Sequence, residues 1–487
     1  MALKFGTSGV RGLVDDLTDL EVYLFTTAFL SYTEDLKQNL PVCIGKDLRD
    51  SSDRIQMASA QAIYDFGRKV YFCGDISTPA LALFAQNKKA LAVMITGSHI
   101  PADRNGIKFY LQQGETLKYD EEKIYREYEK LKEQRHGSHF FDSQGFFKDT
   151  DTNLLSSSKN PSDEALDLYQ KRYLSLFSNN LLAAKKIIFY QHSSVAREVF
   201  PKILEKLGAE VIRIGKSKQF IPVDTEAVES VGQFQKWILE FEADAMVSTD
   251  GDADRPLLID EKGQVIPGDK IGIITAQFLN CDAVATPISS NSGISEIPSF
   301  KEVNYTKIGS PFVIESLQAM ENYYKQVCGF EANGGFLLAS DVFLENGVLL
   351  KKLPTRDSVL PVLCTLAQSV KSELSLSGLV QTLPQRYTSN ALVKNCPVEK
   401  SAGLLREIAR SPEAFLIQHL PQLDFKLEKI NQLDGFRMTS SINEVIHLRP
   451  SGNAPEFRCY TEASTQEKAD FLSREVLAKL RDIFKSV

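Results

Sequence analysis

The sequence predicts an α/β protein of four domains: three similar α/β units and a smaller C-terminal α+β domain. Three observations carry this. A chain of 487 residues exceeds what one hydrophobic core supports, so three or four domains are expected. Short apolar runs alternate with helix-like segments, the pattern of a largely parallel sheet covered by helices. The alternation recurs in units of roughly 100–150 residues, then changes character over the last stretch of chain.

In the first unit, "PVCIG" (41–45) reads as a buried strand and "SSDRIQMASAQAIYDFG" as a helix capped at Ser51 or Ser52 and stopped near Gly67. The strand "KVYFCG", the helix "PALALFAQ" and the strand "ALAVMIT" follow. The charged segment "YDEEKIYREYEKLKEQRHG" reads as a surface helix with a solvated face. In the second unit, "KKIIFYQ" is a strand, "VAREVFPKILEKLGAEV" a helix, glycine stop and strand, and a helix around Trp237 precedes the strand "DAMVSTD". The third unit runs through "PGDKIGIITAQFL" (helix), "DAVATPIS" (strand), "PFVIESLQAM" (helix), "KQVCGFEA" (strand) and "SVLPVLCTLAQSVKS" (helix). The last segment holds the helix "SAGLLREIAR", short strands around "DGFRMTSSINEVIHLRP" and the amphipathic helix "QEKADFLSREVLAKLRDIF". The polar stretch 148–165 is the expected linker, with weaker breaks near 265–268 and 375–390, which gives domains at 1–150, 160–266, 267–378 and 385–487.

Bulk properties exclude several classes. A net charge of −7 speaks against a nucleic-acid binder, which needs a basic footprint. No apolar run approaches a membrane span, and "MALKFGTSGVRG" lacks the apolar core of a signal peptide. Seven dispersed cysteines without a C-x-x-C pair suggest reduced, buried thiols. The expectation is a cytoplasmic protein with no membrane or nucleic-acid partner.

Ligands of open α/β sheets bind beyond the carboxyl ends of the strands, so the loops after the apolar strands are the places to inspect. The loop "TGSHIPADRNGIK" offers Ser98, His99 and Lys108. "STDGDADRPLLID" alternates Asp250, Asp252 and Asp254, with Arg255 beside them to pair with a carboxylate or hold a phosphate oxygen. Three close carboxylates repel unless a cation neutralises them, and hard oxygen ligands suit Mg²⁺; a solvated acidic turn is the competing reading. In "GFEANGGF", Glu331 and Asn333 are equipped to grip vicinal sugar hydroxyls, or form an ordinary turn. In "LRPSGNAPEFRCY", Arg449, Ser451, Gly452, Asn453 and Arg458 surround a turn able to nest an anion, with a salt-bridged turn as the alternative. A Ser-His hydrolase is one reading of Ser98, but the G-x-S-x-G elbow is missing. Beside an acidic metal loop and a phosphate loop, a serine that itself carries phosphate fits better, with Lys108 and His99 supplying positive charge or proton transfer.

Together, "KFGTSGVRG", "IGKDLRDSS", "TGSHIPADRNGIK", "DGDADR" and "RPSGNAPEFRCYTEA" resemble the α-D-phosphohexomutase superfamily, in its phosphomannomutase/phosphoglucomutase branch, nearly end to end. The resemblance implies four domains around a central cleft, the first three of mixed α/β fold. It implies that Ser98 is a phosphoserine and that its phosphate joins Asp250, Asp252 and Asp254 around Mg²⁺. Glu331 and Asn333 match sugar-binding positions; Arg449, Ser451, Gly452, Asn453 and Arg458 match the loop for the non-reacting phosphate. Arg11, Lys46, Arg49 and Lys108 fall where the family places basic groups around the serine, and Gly309 and Ser310 where some relatives contact ligand. The implied reaction interconverts mannose 6-phosphate and mannose 1-phosphate through a hexose 1,6-bisphosphate, with hexose phosphates as partners and a monomer or weak dimer as the assembly. Phosphoglucomutase, dual specificity and, disfavoured by the sugar loop, phosphoglucosamine mutase are the alternatives within the family, and a non-catalytic sugar-phosphate sensor the alternative outside it. Three departures fall on substrate loops: Asn333 for a serine (with Phe330 before Glu331), Asn453 and Ala454 for Thr and Glu, and Ser310.

Overall fold

Residues 3–134, 136–148, 161–451 and 455–485 are described by the computed structural model. The first sheet contains β1 (Lys4–Phe5), β2 (Val10–Leu13), β3 (Val42–Lys46), β4 (Val70–Asp75), β5 (Leu91–Ile95), β6 (Arg104–Leu111) and β7 (Gly114–Glu115), in the order β1-β2-β6-β5-β3-β4 with β7 on β6. Helices α1 (Asp19–Asp35), α2 (Ser52–Asp65), α3 (Thr78–Lys88) and α4 (Lys118–Glu133) cover it. Local chemistry sets their ends. Thr18 caps α1 by accepting from the Glu21 N–H, and Ser77 caps α3 by accepting from the Ala80 N–H, with Pro79 in the first turn. Between sheet and helices, Phe29 stacks on Phe109 and Phe25 on Tyr128, with ring centroids 4.6 and 3.9 Å apart.

Tyr128 belongs to the expected charged surface helix. Opposite its solvated face it buries Ile124, Tyr128 and Leu131, and two of its acidic residues, Asp120 and Glu121, are buried as well. Buried Glu121 accepts from the Gly9 N–H at 3.3 Å and from Lys118 at 2.6 Å, which anchors the N-terminal loop.

The second sheet contains β8 (Lys186–Tyr190), β9 (Glu210–Ile214), β10 (Ala245–Thr249) and β11 (Pro256–Ile259), with helices α5 (Ser162–Leu174), α6 (Val199–Lys206) and α7 (Val231–Phe241). Helix α5 takes up the end of the expected linker; residues 149–160 of that linker lie outside the described residues. The third unit contains β12 (Ala283–Pro287), β13 (Glu302–Thr306), β14 (Val327–Phe330), β15 (Phe336–Leu338), the small β16 (Val342–Phe343) and β17 (Leu349–Leu350) pair, and β18 (Leu353–Asp357). Its helices are α8 (Gly268–Phe278), α9 (Ser310–Met320), α10 (Val359–Ser372) and α11 (Leu376–Gln381), the last filling a stretch read as a break.

All three sheets are mixed, as the resemblance implies; the expectation of a mostly parallel sheet holds for the second and not for the first. In each unit the strand leading to a suspected functional loop returns at once as an antiparallel partner: β5 to β6, β10 to β11 and β14 to β15. A short loop is able to join antiparallel neighbours, whereas a parallel neighbour needs a long crossover. Lys108 accordingly stands on strand β6, registered opposite Met94, and not in the loop where it was expected.

The C-terminal sheet is wholly antiparallel, in the order β19 (Tyr387–Lys394), β23 (Glu456–Ala463), β22 (Val445–Pro450), β21 (Phe436–Ser440) and β20 (Leu427–Asn431). Helices α12 (Val398–Arg410), α13 (Pro412–His419) and α14 (Gln466–Lys485) accompany it, and Leu472, Val476 and Leu480 of α14 share a core with Met438, Ile446 and Phe457. All seven cysteines are free and buried, and no helix among the described residues is long and apolar enough to cross a membrane.

One carboxylate fastens this domain to the third. Buried Glu462 accepts from the Ser292 N–H (3.0 Å), the Ser292 hydroxyl and Arg386 Nε (2.7 Å), and Arg437 lies 3.7 Å away. Removing one partner of such a cluster strands the others, at a cost of about 3–5 kcal/mol. Glu462→Ala should therefore loosen the junction selectively, seen as faster amide hydrogen exchange over 289–294 and 386–390 with unchanged protection in β3 and β5.

Candidate active site

The three hairpin loops converge. Strand β5 is buried along its whole length and delivers Thr96, Gly97 and Ser98 to its carboxyl end. Ser98 is fully buried, adopts φ 56°, and its N–H is held by Thr96 Oγ1 at 2.7 Å. A left-handed conformation costs a non-glycine residue roughly 1–2 kcal/mol, so the surroundings must impose it. Arg49 does so. Its Nε donates to Asp47, Nη1 to the carbonyls of Pro101 and Arg104, and Nη2 to those of Ser98 and Ile100, at 2.6–3.1 Å. Five guanidinium hydrogens meet five acceptors, leaving none for a phosphate. Arg49 was expected as a supporting basic group around the serine; its guanidinium clamps the serine loop. Its guanidinium also lies 3.9 Å from the Phe220 ring centre of the second unit, and a side chain at Gly97 would collide with it. Asp47 completes the clamp, accepting from Thr96, Ser52 and the Gly97 N–H at 2.8, 2.7 and 3.3 Å.

Ser98 Oγ donates to Asp250 Oδ2 at 2.6 Å across the boundary between the first two units. Asp250, Asp252 and Asp254 are all buried, and one carboxylate oxygen from each lies within 4.8 Å of the others. Three units hold their loop. The Val195 N–H donates to the Gly251 carbonyl (3.1 Å), Ser358 Oγ to that of Ala253 (2.8 Å), and Thr78 Oγ1 to Asp252 Oδ2 (2.6 Å). Ala253 turns the loop at φ 56°, a second left-handed non-glycine residue. Behind it, buried His192 donates Nε2–H to the Thr249 carbonyl at 2.9 Å, and burial holds that imidazole down at about pKa 4.

Cations from separate strands surround the triplet. Lys108 Nζ reaches Asp252 at 2.7 Å and Asp254 at 2.8 Å; burial opposes its charge, but the two carboxylates outweigh it and hold the ammonium protonated. Arg356 on β18 donates Nη2 to Asp254 at 2.7 Å and Nη1 to Glu331 at 3.0 Å. Arg255 Nε lies 3.6 Å from Asp254. Arg11 is brought down to about pKa 10 by burial and by Arg255 and Arg356, and its Nε has no hydrogen-bond partner. Burial drives Asp250 well above the usual carboxylate range, with Asp252 and Asp254 adding to the effect. Among the described residues, buried Asp252 Oδ1 and Asp254 Oδ1 have no hydrogen-bond partner. Buried acceptors are normally satisfied, so these two oxygens fit a cation.

His99 was expected to supply positive charge or move a proton. Burial, then Arg255 and Arg11, hold it neutral. Arg255 Nη1 donates to its Nδ1 at 2.9 Å, and a guanidinium cannot accept, so the ring proton is on Nε2. The positive charge comes from Lys108 and the arginines instead. Lys46 is drawn elsewhere: it is registered beside Asp75 on β4 and pairs with Asp75 and with Asp53 at 3.1 Å.

The remaining loops differ in how free they are. Buried Ser310 donates to Glu115 at 3.2 Å, and Ser8 also donates to that carboxylate; an expected ligand contact thus joins the third unit to the first. Gly309 precedes it at φ 131° against Thr7. Asn333 accepts from the Gly335 N–H at 3.0 Å, which closes its own turn. Arg449 and Arg458 are directly opposed on β22 and β23. Arg449 lies 3.4 Å from Asp434 and Arg458 3.4 Å from Glu456, and among the described residues the buried Nε of each has no hydrogen-bond partner. Facing like charges are destabilising unless an anion joins them. The Ser451 N–H donates to the Glu456 carbonyl, while Gly452 and Asn453 lie outside the described residues. Sequence reading missed Asp47, Thr78, Glu115 and Arg356. The signal for Arg356 was the polar run "TRDS" against the buried helix "VLPVLC".

Residues 2–135, 149–263 and 267–387 match the phosphoglucomutase/phosphomannomutase family, as its alpha/beta/alpha domains I, II and III. The chain is 41% identical to a phosphomannomutase of Sinorhizobium fredii, with 99% of each covered. It is 40% identical to a phosphomannomutase of Salmonella muenchen, covering 98% of this chain and 96% of that one. Identity to a phosphoglucosamine mutase of Nautilia profundicola is 27% over 99% of each. Among solved structures, a phosphoglucomutase/phosphomannomutase family protein from Burkholderia thailandensis aligns with a TM-score of 0.71 at 16% identity, over 98% of this chain and 97% of that one.

Two outcomes follow from this geometry. Arg49→Met should raise hydrogen exchange over 97–104 and lower stability by about 3–5 kcal/mol, read by denaturant titration. For His192, the unfolded chain takes up a proton first as pH falls, so its contribution is full above about 6.5 and lost on the way to about 4. Replacement by Gln keeps a donor and removes the titration. His192→Gln should abolish about 3 kcal/mol of the stability loss between pH 6.5 and 4.

Proposed function

The chain belongs to the phosphoglucomutase/phosphomannomutase family, and on that premise we propose that it interconverts mannose 6-phosphate and mannose 1-phosphate, with Ser98 as the phosphoryl carrier. The observation that carries the reading is the 2.6 Å contact between Ser98 Oγ and Asp250. It puts a hydroxyl of one unit against the acidic triplet of another, inside a ring of arginines and a lysine. Asp250, Asp252 and Asp254, with an oxygen of the serine's phosphate, would hold Mg²⁺, and the two unpartnered carboxylate oxygens fit that role. Bound there, Mg²⁺ supplies charge stabilisation to the transferring phosphoryl group.

The chain's own residues do the rest. Arg49 and Asp47 keep the serine loop in its strained turn, so Ser98 is presented without reorganisation. Lys108 and Arg255 counter the charge of a phosphoryl group on Ser98. Glu331 accepts hydrogen bonds from sugar hydroxyls, and opposed Arg449 and Arg458 bind the phosphate that is not reacting. Transfer breaks the Ser98 Oγ–P bond and the sugar O–H bond and forms the sugar O–P bond and the Ser98 Oγ–H bond, giving the hexose 1,6-bisphosphate and the free serine. After this intermediate reorients, its other phosphate returns to Ser98. The greater identity to the two phosphomannomutases than to the phosphoglucosamine mutases favours mannose.

Ser98→Ala should leave the fold intact and lower turnover by at least about 10³-fold, measured with mannose 1-phosphate primed by bisphosphate. Intact-protein mass should reveal a phosphoryl adduct on the wild type that disappears when hexose phosphate is added; a fully active Ser98→Ala variant would refute the reading. Turnover of mannose, glucose and glucosamine 1-phosphates compared side by side decides the hexose.

A further inference from the structure

Arg356 takes part in nothing so far assigned, yet it makes the one direct side-chain bridge among the described residues between the acidic triplet and Glu331. It is 3% exposed, and its two terminal nitrogens each hold a different carboxylate, Asp254 at 2.7 Å and Glu331 at 3.0 Å. The sugar loop is shaped around it. A Cβ on Gly335 would come within 2.6 Å of Arg356 Cδ, so the second glycine after Asn333 makes room for this stem. Strand β18 pairs with β15, the strand that leaves that loop, which fixes where the guanidinium stands.

Resting on the mutase reading above, we propose that Arg356 is a positioning residue for the sugar: it holds the Glu331 carboxylate aimed, while its charge moderates the affinity of the triplet for a cation. A fork of two N–H groups in one plane suits this task, because it fixes two carboxylates relative to each other as a point charge cannot. The two arms predict opposite effects of one substitution. Removing the charge leaves Glu331 unheld, so sugar binding weakens; it also removes a positive neighbour from Asp254, so divalent-ion binding tightens.

The test is calorimetry and kinetics on full-length Arg356→Met and Arg356→Lys. For Arg356→Met, KM for mannose 1-phosphate should rise at least about tenfold, with a smaller change in kcat, while the Mg²⁺ dissociation constant of the sugar-free protein falls several-fold. Arg356→Lys should restore wild-type Mg²⁺ affinity but only part of the sugar affinity. Should Arg356→Met fail to fold, Gly335→Ala displaces the same stem and should reproduce the rise in KM. Weakening of Mg²⁺ and sugar together, or an unchanged KM, would overturn the proposal. A wild-type chain with no turnover of any hexose phosphate would instead overturn the mutase reading on which it rests.

Discussion

The structure depends on neutralising buried charge. Asp250, Asp252 and Asp254 are enclosed away from solvent on five consecutive positions of one loop, and Glu331 is buried beside them. Isolated, such carboxylates would cost far more than a domain's net stability. Their loop supplies only Arg255; the other compensating cations come from elsewhere, Lys108 from β6 and Arg356 from β18. Three units are therefore drawn to one point by their charges as well as by their apolar faces. The interaction that assembles the molecule also builds its site.

The repeated hairpin explains why each α/β unit brings something to that point. A buried strand runs to its carboxyl end, turns through a short polar loop and returns antiparallel, so each loop is held at both ends by the sheet. Rigid anchors allow strain in between. Ser98 and Ala253 both adopt left-handed conformations, each stabilised by bonds from another segment: Arg49 around the serine, Ser358 behind the alanine. Pre-set geometry of this kind removes reorganisation from the reacting state.

Charged residues here divide by what they meet. Arg49 spends every donor on loop carbonyls and Asp47, and Lys46 is captured by carboxylates beside it. Arg449 and Arg458 face each other, and the buried Nε of each has no hydrogen-bond partner among the described residues. All four are basic residues near suggestive motifs, yet only the last pair retains capacity for an anion. Counting basic residues near a serine therefore overstates the capacity for an anion, because donors already spent on protein acceptors are not available to one.

Much of this was legible in the chain itself. Apolar runs such as "LAVMIT" and "AMVST" read as buried strands, and a serine or three alternating aspartates directly after them lie at the carboxyl end of a sheet. Those are local facts, set by side-chain hydrophobicity and backbone sterics. What the tertiary structure alone decided was pairing at a distance. Lys108 faces Asp252 across 144 positions, and Arg356 joins Asp254 to Glu331 from a strand with no motif of its own. Partner choice for a buried charge depends on which carboxylate the fold brings within a few ångströms, and sequence spacing carries no record of that distance.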